Sequence, residues 1–218
     1  RRPGGVEGLP SNVHRIRWSN SVKTDGVRKA RPGLDGSVRV APWLHTEEST
    51  YAGCTEHPCM RMFFALAAGY GMYITFADTH NAFQKAPPPT RQCYLEIDDA
   101  YESWYFKRYK KKLNRRTHAI PLHKAMQGHP EAGRLWETMI TGVLTDLGFK
   151  NTTHERSIYC GEFKGEQVLV CQQVDDFAIA SLSTAVNEQL VAEINKHAAT
   201  GSLGMGSARA SGMVSRYN

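Results

Sequence analysis

Residues 168–180 read VLVCQQVDDFAIA, in which two apolar runs flank an adjacent pair of carboxylates. Apolar, partly β-branched runs on both sides of a short polar break predict a β-hairpin, with Asp175 and Asp176 at or beside its turn. A second apolar run, residues 73–78, ends on another carboxylate, Asp78. Three carboxylates brought together repel one another unless cations neutralise them, so a cluster of these acids predicts bound metal. Oxygen ligands favour magnesium or manganese.

The chain is long enough for one domain or two closely packed subdomains. It has 218 residues, of which 41% are hydrophobic and 22% charged, so we expect a soluble globular protein with a buried core. The most apolar run, residues 62–77, contains two glycines and is shorter than the roughly 20 residues that span a bilayer. Five scattered cysteines indicate a reducing compartment. Because the chain begins without Met, we expect a segment of a longer polyprotein.

Basic residues are concentrated in two blocks. Residues 1–40 hold nine Lys or Arg against three acids, and residues 107–116 hold seven basic residues and no acid. Both blocks predict contact with a polyanion, because each phosphate neutralised by Lys or Arg releases counterions. Aromatic residues at 104–106 and 109 favour nucleic acid as that polyanion, whereas a solvated loop and a nuclear-import signal are alternative interpretations of the second block. The predicted nucleic-acid contacts in this block are Lys107, Arg108, Lys110, Lys111 and Lys112.

Hydrophobic periodicity predicts helices between the strands. Apolar residues recur at helical spacing from Trp136 to Leu147, and a second such helix covers residues 184–197. Residues 1–25 are rich in Gly, Pro and Ser and are interpreted as a linker or a flexible end. Strands that carry acids and pack on helices predict an α+β fold.

An additional helix is predicted just before the Asp78 strand. Its expected N-cap is Thr55, and Gly69 and Gly71 end it. Its predicted buried stripe consists of Met62, Phe63, Leu66 and Ala67. A zinc site is the alternative interpretation of the segment that starts this helix, and its ligands would be Cys54, His57 and Cys59.

Three segments, in this order, resemble the reverse transcriptase of copia-type long-terminal-repeat retrotransposons. The first is Asp78 with Asn81, Ala82 and Phe83, the second covers residues 128–136, and the third is Val174, Asp175 and Asp176. The resemblance runs from about Lys29 to the last residue. It implies a polymerase palm and fingers over residues 26–218, in which an antiparallel sheet carries the acids and packs on helices. The thumb and a ribonuclease H domain would lie downstream, and residues 212–218 look like the start of the primer grip.

The resemblance implies an RNA-directed DNA polymerase that joins a dNTP to a primer 3′-OH with two Mg²⁺ or Mn²⁺ ions. Asp78 and Asp175 would hold the metals, the backbone carbonyl of Thr79 would be an extra ligand, and Asp176 would support the site. Around the nucleotide, Lys29 and Arg31 would neutralise the triphosphate, Phe83 would lie under the sugar, and the turn with Glu131 and Arg134 would lie close by. Gln173 would contact the primer.

Some positions depart from the family pattern. Gln173 stands where the family usually has Tyr, and Glu131 and Gly133 stand where it usually has Gln and Pro. A divergent active enzyme and a decayed copy that only binds nucleic acid are therefore both open. A metal-dependent nuclease is a third alternative, in which His80 would activate water.

The resemblance also implies partners and a location. The expected partners are an RNA or DNA template with its primer, dNTPs, and the integrase and ribonuclease H segments of the same polyprotein, which link the chain to DNA integration. No membrane partner is expected. The expected location is the cytoplasm, inside a virus-like particle, with the nucleus as the alternative.

Overall fold

The computed structural model describes residues 12–22, 24, 26–39, 42, 45, 50, 52–79, 81–197 and 206–209. The chain divides into two compact units, of which the first comprises residues 1–51 and 86–135 and the second comprises residues 52–85 and 136–218. No described helix is both long and apolar enough to cross a membrane. In chain order the elements are β1 (Val13–His14), β2 (Ile16–Val22), β3 (Arg28–Leu34), α1 (His57–Gly69), β4 (Tyr73–Asp78), α2 (Ala82–Lys85), β5 (Tyr94–Leu95), α3 (Asp99–Tyr109), β6 (Ile120–Pro121), α4 (Ala132–Asp146), β7 (Lys150–Asn151), β8 (Ile158–Phe163), β9 (Glu166–Gln173), β10 (Asp176–Ser181), α5 (Thr184–His197) and β11 (Gly206–Arg209).

Two small sheets lie among the described residues of the first unit. Strand β5 pairs in parallel with β1 and antiparallel with β6, and β2 pairs antiparallel with β3. The prediction of a linker up to residue 25 is wrong for residues 13–14 and 16–22, which form strands. These strands satisfy their backbone groups by pairing with β5 and β3, which a local composition pattern does not reveal. The core of this unit consists of Leu34, Cys93, Leu95, Leu122 and Met126.

A close backbone contact in the first unit requires a glycine. The backbone N–H of Leu34 donates to the carbonyl oxygen of Gln127 at 2.7 Å. At the next residue, Gly128, φ is +86°, and an added Cβ would lie 2.2 Å from the carbonyl oxygen of Leu34. Only glycine fits both the dihedral angle and the available space.

The second unit is built on a six-stranded sheet with the order β11-β4-β10-β9-β8-β7. All of its neighbouring strands are antiparallel. The predicted hairpin is confirmed, since β9 and β10 pair around residues 174 and 175. Helix α5 packs on β4 and β10, and α1 contacts β9. The predicted α+β class is confirmed by this arrangement of antiparallel sheets and helices.

The helices of the second unit bury most of the residues that periodicity selects, although Met139 and Leu147 of the predicted α4 stripe are only half-buried. Helix α4 buries Trp136, Ile140, Val143 and Leu144, and α5 buries Val186, Leu190, Val191 and Ile194. The prediction is least accurate for α1, where Phe63 and Ala67 are buried but Met62 and Leu66 are 55% and 42% exposed. Cys59 and Phe64 are the α1 residues that pack beside Phe63 and Ala67 against the sheet, so the predicted stripe is displaced around the helix.

The predicted N-cap of α1 is also wrong. Glu56 occupies the N-cap position and makes no side-chain capping bond. Thr55 is buried instead, and its hydroxyl donates to the carbonyl oxygen of Gln172 at 2.7 Å. The hydroxyl therefore links the start of α1 to β9 rather than capping the helix.

Candidate active site

Two strand ends bring together carboxylates that lie far apart in the sequence. In the sheet, Asp176 of β10 is paired with Asp78, the last residue of β4. Directly opposite residues of antiparallel strands project to the same face, so the two side chains are neighbours. Asp176 is also paired with Gln173 of β9, which leaves Val174 and Asp175 as the turn. The sheet thus places the three predicted acids together at one end of the neighbouring inner strands β4 and β10, while their role in metal binding stays a prediction.

A backbone hydrogen bond joins the end of β4 to this turn. The N–H of Thr79 donates to the carbonyl oxygen of Asp175 at 2.9 Å. Thr79 is fully buried, and its hydroxyl has no hydrogen-bond partner among the described residues. The backbone hydrogen bond between Thr79 and Asp175 fixes Asp175 relative to Asp78, the residue before Thr79. The unpaired buried hydroxyl is a polar atom of the kind that native structures rarely leave unsatisfied without a local reason.

The turn itself adopts an uncommon conformation. Val174 has a φ of 57°, a value that β-branched residues rarely adopt. Its carbonyl oxygen accepts two hydrogen bonds, from the indole N–H of Trp136 at 2.6 Å and from the side-chain amide of Gln172 at 3.2 Å. From the sequence, Trp136 is expected to be a buried helical residue and part of the segment 128–136 that resembles the family, but no contact with the turn is expected. A buried indole needs an acceptor for its N–H, and that requirement was the signal for this second role.

The carboxylates interact electrostatically. The pKa of Asp176 is raised by partial burial, by the negative charges of Asp175 and Asp78, and by a hydrogen bond with Asp78. Hard oxygen donors that repel one another suit a divalent cation, so the facing pair Asp78 and Asp176 fits such an ion in chemistry and charge. Within the described residues, no three His, Cys, Asp or Glu side chains are gathered closely enough to hold a metal ion. This finding covers Cys54, His57 and Cys59, so the alternative interpretation of a zinc site at the start of α1 is not supported.

A cleft of about 330 Å³ lies beside the acids. Its walls are mainly apolar and include Met60, Phe64 and Phe76, and its polar rim includes Asp78, Gln173 and Asp176. The side-chain amide nitrogen of Gln173 donates to the Cys54 Sγ at 2.8 Å, and its Oε1 is buried without a hydrogen-bond partner in the described part of the chain. Gln173 therefore lies next to the acids, as its predicted primer contact requires, and that contact stays a prediction.

Phe83 lies in the same unit as the acids. It belongs to the short helix α2, which begins at Ala82 after Asn81, a residue with a φ of 56°. Its ring is half-buried. The position under a sugar that the resemblance implies is not tested by the structure.

The other predicted nucleotide contacts belong to the first unit. Lys29 and Arg31 lie on β3, opposite Ser21 and Ser19 of β2. Lys29 is half-buried and Arg31 is exposed. Arg134, in the first turn of α4, is half-buried.

Glu131 has an internal role that the sequence does not indicate. Its side chain is buried, and Oε2 accepts a hydrogen bond from the backbone N–H of Thr90 at 2.9 Å. Its own N–H donates to Nδ1 of His129 at 3.1 Å, and the other ring nitrogen of His129 lies 3.5 Å from the Cys93 Sγ. Burial raises the pKa of the Cys93 thiol and lowers that of His129, so both groups favour their neutral forms. This arrangement explains how an acid is accommodated at position 131.

The predicted nucleic-acid contacts of the second basic block lie around the end of α3. Lys107 and Arg108 form its last turn, and Lys110, with a φ of 55°, ends the helix. All five predicted residues of the block are exposed. His80, on which the nuclease alternative depends, lies outside the described residues, and so does the predicted primer-grip segment.

The chain belongs to a family of reverse transcriptases. The model of the family described as reverse transcriptase (RNA-dependent DNA polymerase) matches residues 5–208, which is most of the chain. The recognition made from Asp78, Asp175 and Asp176 and their neighbouring motifs is thereby confirmed at the level of the family.

Other comparisons add little detail. No curated protein matches the chain. Among solved structures, the chain is similar to telomerase from Candida albicans in complex with the TWJ fragment of telomeric RNA, with 10% sequence identity and a TM-score of 0.41. The similarity covers 96% of this chain and 43% of that chain, so the present chain spans less than half the length of this relative.

Proposed function

We propose that residues 26–218 are the fingers and palm of an RNA-directed DNA polymerase from a copia-type retrotransposon. The observation that carries the proposal is the pairing of Asp176 with Asp78 beside the turn residue Asp175. Acids gathered at the ends of two strands repel a polyanionic substrate, so they suit a reaction on it only when cations accompany the substrate. Family membership supports polymerase activity over the nuclease and over a module that only binds nucleic acid.

Asp78 and Asp175 would hold two divalent ions, Mg²⁺ or Mn²⁺, with the Thr79 carbonyl and Asp176 as supporting groups. When bound, such ions stabilise the negative charge that develops on the attacking and leaving oxygens of nucleotidyl transfer. The chain contributes the placement of the acids. The register between β4 and β10 places Asp176 opposite Asp78, and the hydrogen bond from Thr79 holds Asp175 beside them before any substrate binds.

The substrates in this proposal are a dNTP and a primer on an RNA or DNA template. Lys29 and Arg31 would neutralise the triphosphate, Phe83 would lie under the deoxyribose, and Gln173 would contact the primer. The remaining segments of the polyprotein, including integrase and ribonuclease H, would be partners. The protein would act in the cytoplasm within a virus-like particle.

The test is primer extension on an RNA template by the whole polymerase that contains this chain. Asp175→Asn keeps the shape of the side chain and removes its charge. Bound metal ions lower the activation free energy by several kcal/mol, and each change of about 1.4 kcal/mol in that free energy changes the rate tenfold. We therefore expect extension to slow by on the order of a hundredfold or more. The matched control is Asp146→Asn, at the exposed end of α4, which should extend like wild type.

Two results would contradict the proposal. One is wild-type extension by the Asp175→Asn protein, or extension after all divalent metal has been chelated. The other is a folded wild-type enzyme that binds a primed template but extends it with neither Mg²⁺ nor Mn²⁺. That second result would favour a decayed copy.

A further inference from the structure

Helix α3 presents an aromatic surface that its own unit does not cover. None of its residues is buried, and Trp104 and Tyr109 are both 51% exposed. Helices of globular proteins gain most of their stability by packing an apolar face, so a helix without a buried residue is unusual. Clustered exposed aromatic residues of this kind indicate an interaction surface.

Four aromatic rings form a continuous stripe along α3. Tyr101 stacks on Tyr105 with ring centroids 6.3 Å apart and an interplanar angle of 30°, and Tyr105 lies 4.7 Å from Tyr109. Trp104 lies 5.3 Å from Tyr101 and 6.0 Å from Tyr109. These rings hold one another in place, so little side-chain freedom remains to be lost when a flat ligand stacks on them.

The stripe leads into a group of exposed cations. No ion pair within the described part of the chain involves any of them. The acids at the opposite end of the helix, Asp99 and Glu102, are both paired with Arg115. The end of α3 is therefore positive, and its charge favours an anionic partner. The five cations are Lys107, Arg108, Lys110, Lys111 and Lys112.

We propose that residues 99–112 bind single-stranded nucleic acid, with unpaired bases stacked on the aromatic stripe and phosphates at the cations. The inference rests on the proposed polymerase function, because it assigns this surface to the unpaired template that such an enzyme must copy. Unpaired bases expose faces that rings can stack on, whereas a duplex keeps those faces internal and would meet the cations alone. A protein partner would bury the rings but would not require five cations beside them.

The test compares the binding of single strands and duplex by the full chain, without metal or dNTP. Fluorescence anisotropy is measured with labelled oligo(U), oligo(dT) and a blunt duplex, each of about 20 nucleotides or base pairs, a length that spans several stacked bases. Removing both exposed rings with Trp104→Ala and Tyr109→Ala should weaken single-strand binding by about tenfold or more and leave duplex binding nearly unchanged. A second double variant, Trp104→Phe with Tyr109→Phe, keeps an aromatic ring at both positions and should bind single strands nearly as tightly as wild type. Tyr70→Ala removes a ring that is 68% exposed at the end of α1 and should have no effect.

Replacing the five cations with Gln should weaken the binding of both single strands and duplex, and it should flatten the dependence of affinity on salt concentration. Unchanged single-strand binding in the Ala pair, or an equal loss for the duplex, would overturn the stacking role and leave a protein partner as the explanation for the exposed rings. Comparison of oligo(U) with oligo(dT) separates RNA from DNA as the preferred strand. A chain that binds through these rings but cannot extend a primer contradicts only the polymerase proposal, since the assay involves no extension.

Discussion

Val174 shows how a single residue fixes the candidate active site. Its φ of 57° lies in the left-handed region, which costs an ordinary L-residue roughly 1–2 kcal/mol. The hydrogen bonds that its carbonyl oxygen accepts from Trp136 and Gln172 help to offset that cost. Strained residues persist where the surrounding structure holds them and are frequent at active sites. Here the strained residue directly precedes Asp175.

Phe83 provides a prediction at the scale of a single side chain. If its ring lies under the sugar, it leaves no room for a 2′-hydroxyl, and ribonucleotides are rejected by a steric clash. Phe83→Ala should then raise kcat/KM for ribonucleotides relative to deoxyribonucleotides. The measurement is the ratio of the two kcat/KM values in primer extension at a temperature where the protein is folded.

The matched control for this prediction is Phe163→Ala, which removes another half-buried ring, at the end of β8. Loss of core packing would lower the activity with both nucleotides together and leave the ratio constant. An unchanged ratio in Phe83→Ala would therefore show that the ring only closes the turn after β4.

At the scale of elements, α4 holds the β9–β10 hairpin through one side chain. Trp136 is buried in α4, and its indole N–H donates to the carbonyl oxygen of Val174 at 2.6 Å. Trp136→Phe keeps an aromatic ring and removes this donor, while Gln172 still donates to the same oxygen. We expect a loss of stability of about 2–4 kcal/mol, from the lost hydrogen bond and from the smaller ring at a buried position. We also expect a loss of kcat at temperatures where the variant is folded, because the turn carries Asp175.

The control variant for this prediction is Phe149→Leu, which replaces a fully buried ring just after α4 with a smaller side chain. Thermal unfolding and primer extension are measured for both variants. Phe149→Leu should lower the melting temperature and leave kcat near the wild-type value below that temperature. Equal changes in kcat for the two variants would mean that Trp136 acts only as a core residue.

At the scale of the whole molecule, periodicity predicted the elements with a strong local pattern. The period of 3.6 predicted α5 over residues 184–197 and selected most of the residues that α4 buries. The two apolar runs around Asp175 and Asp176 gave the hairpin. In each case a buried face repeats at the period of the element itself, so neighbours in the sequence carry the information.

Features that depend on distant residues could not be predicted in this way. The pairing of β10 with β4, which places Asp176 opposite Asp78, joins strands from separate parts of the sequence. The strands within residues 12–22 lack an apolar alternation because β2 is mostly exposed. The carboxylate of Glu131 is buried because Thr90, about forty positions earlier, supplies an N–H donor. These outcomes depend on pairing, which neither composition nor period records.

The stability of the first unit should depend on pH through the protonation of His129. Its side chain is 4% exposed, and its pKa is lowered by burial, raised in part by Glu131, and lowered further by His14 and His45. The unfolded chain binds a proton at this residue below about pH 6.5, while the folded chain resists doing so. His129 therefore contributes stability that is complete above about pH 6.5 and is lost as the pH falls below it. The urea midpoint of unfolding should decrease from about pH 7 to about pH 5.

His129→Gln isolates this effect from the other titrating groups. Glutamine can accept the hydrogen bond from Glu131 but cannot take up a proton in this range, so the variant should lose less of its urea midpoint on acidification than wild type. The thiol of Cys93, the remaining neighbour of the ring, favours its neutral form because burial raises its pKa. His123→Gln changes an exposed histidine of the same unit and should follow the wild-type curve. A slope in His129→Gln as steep as that of wild type would place the pH response in other groups.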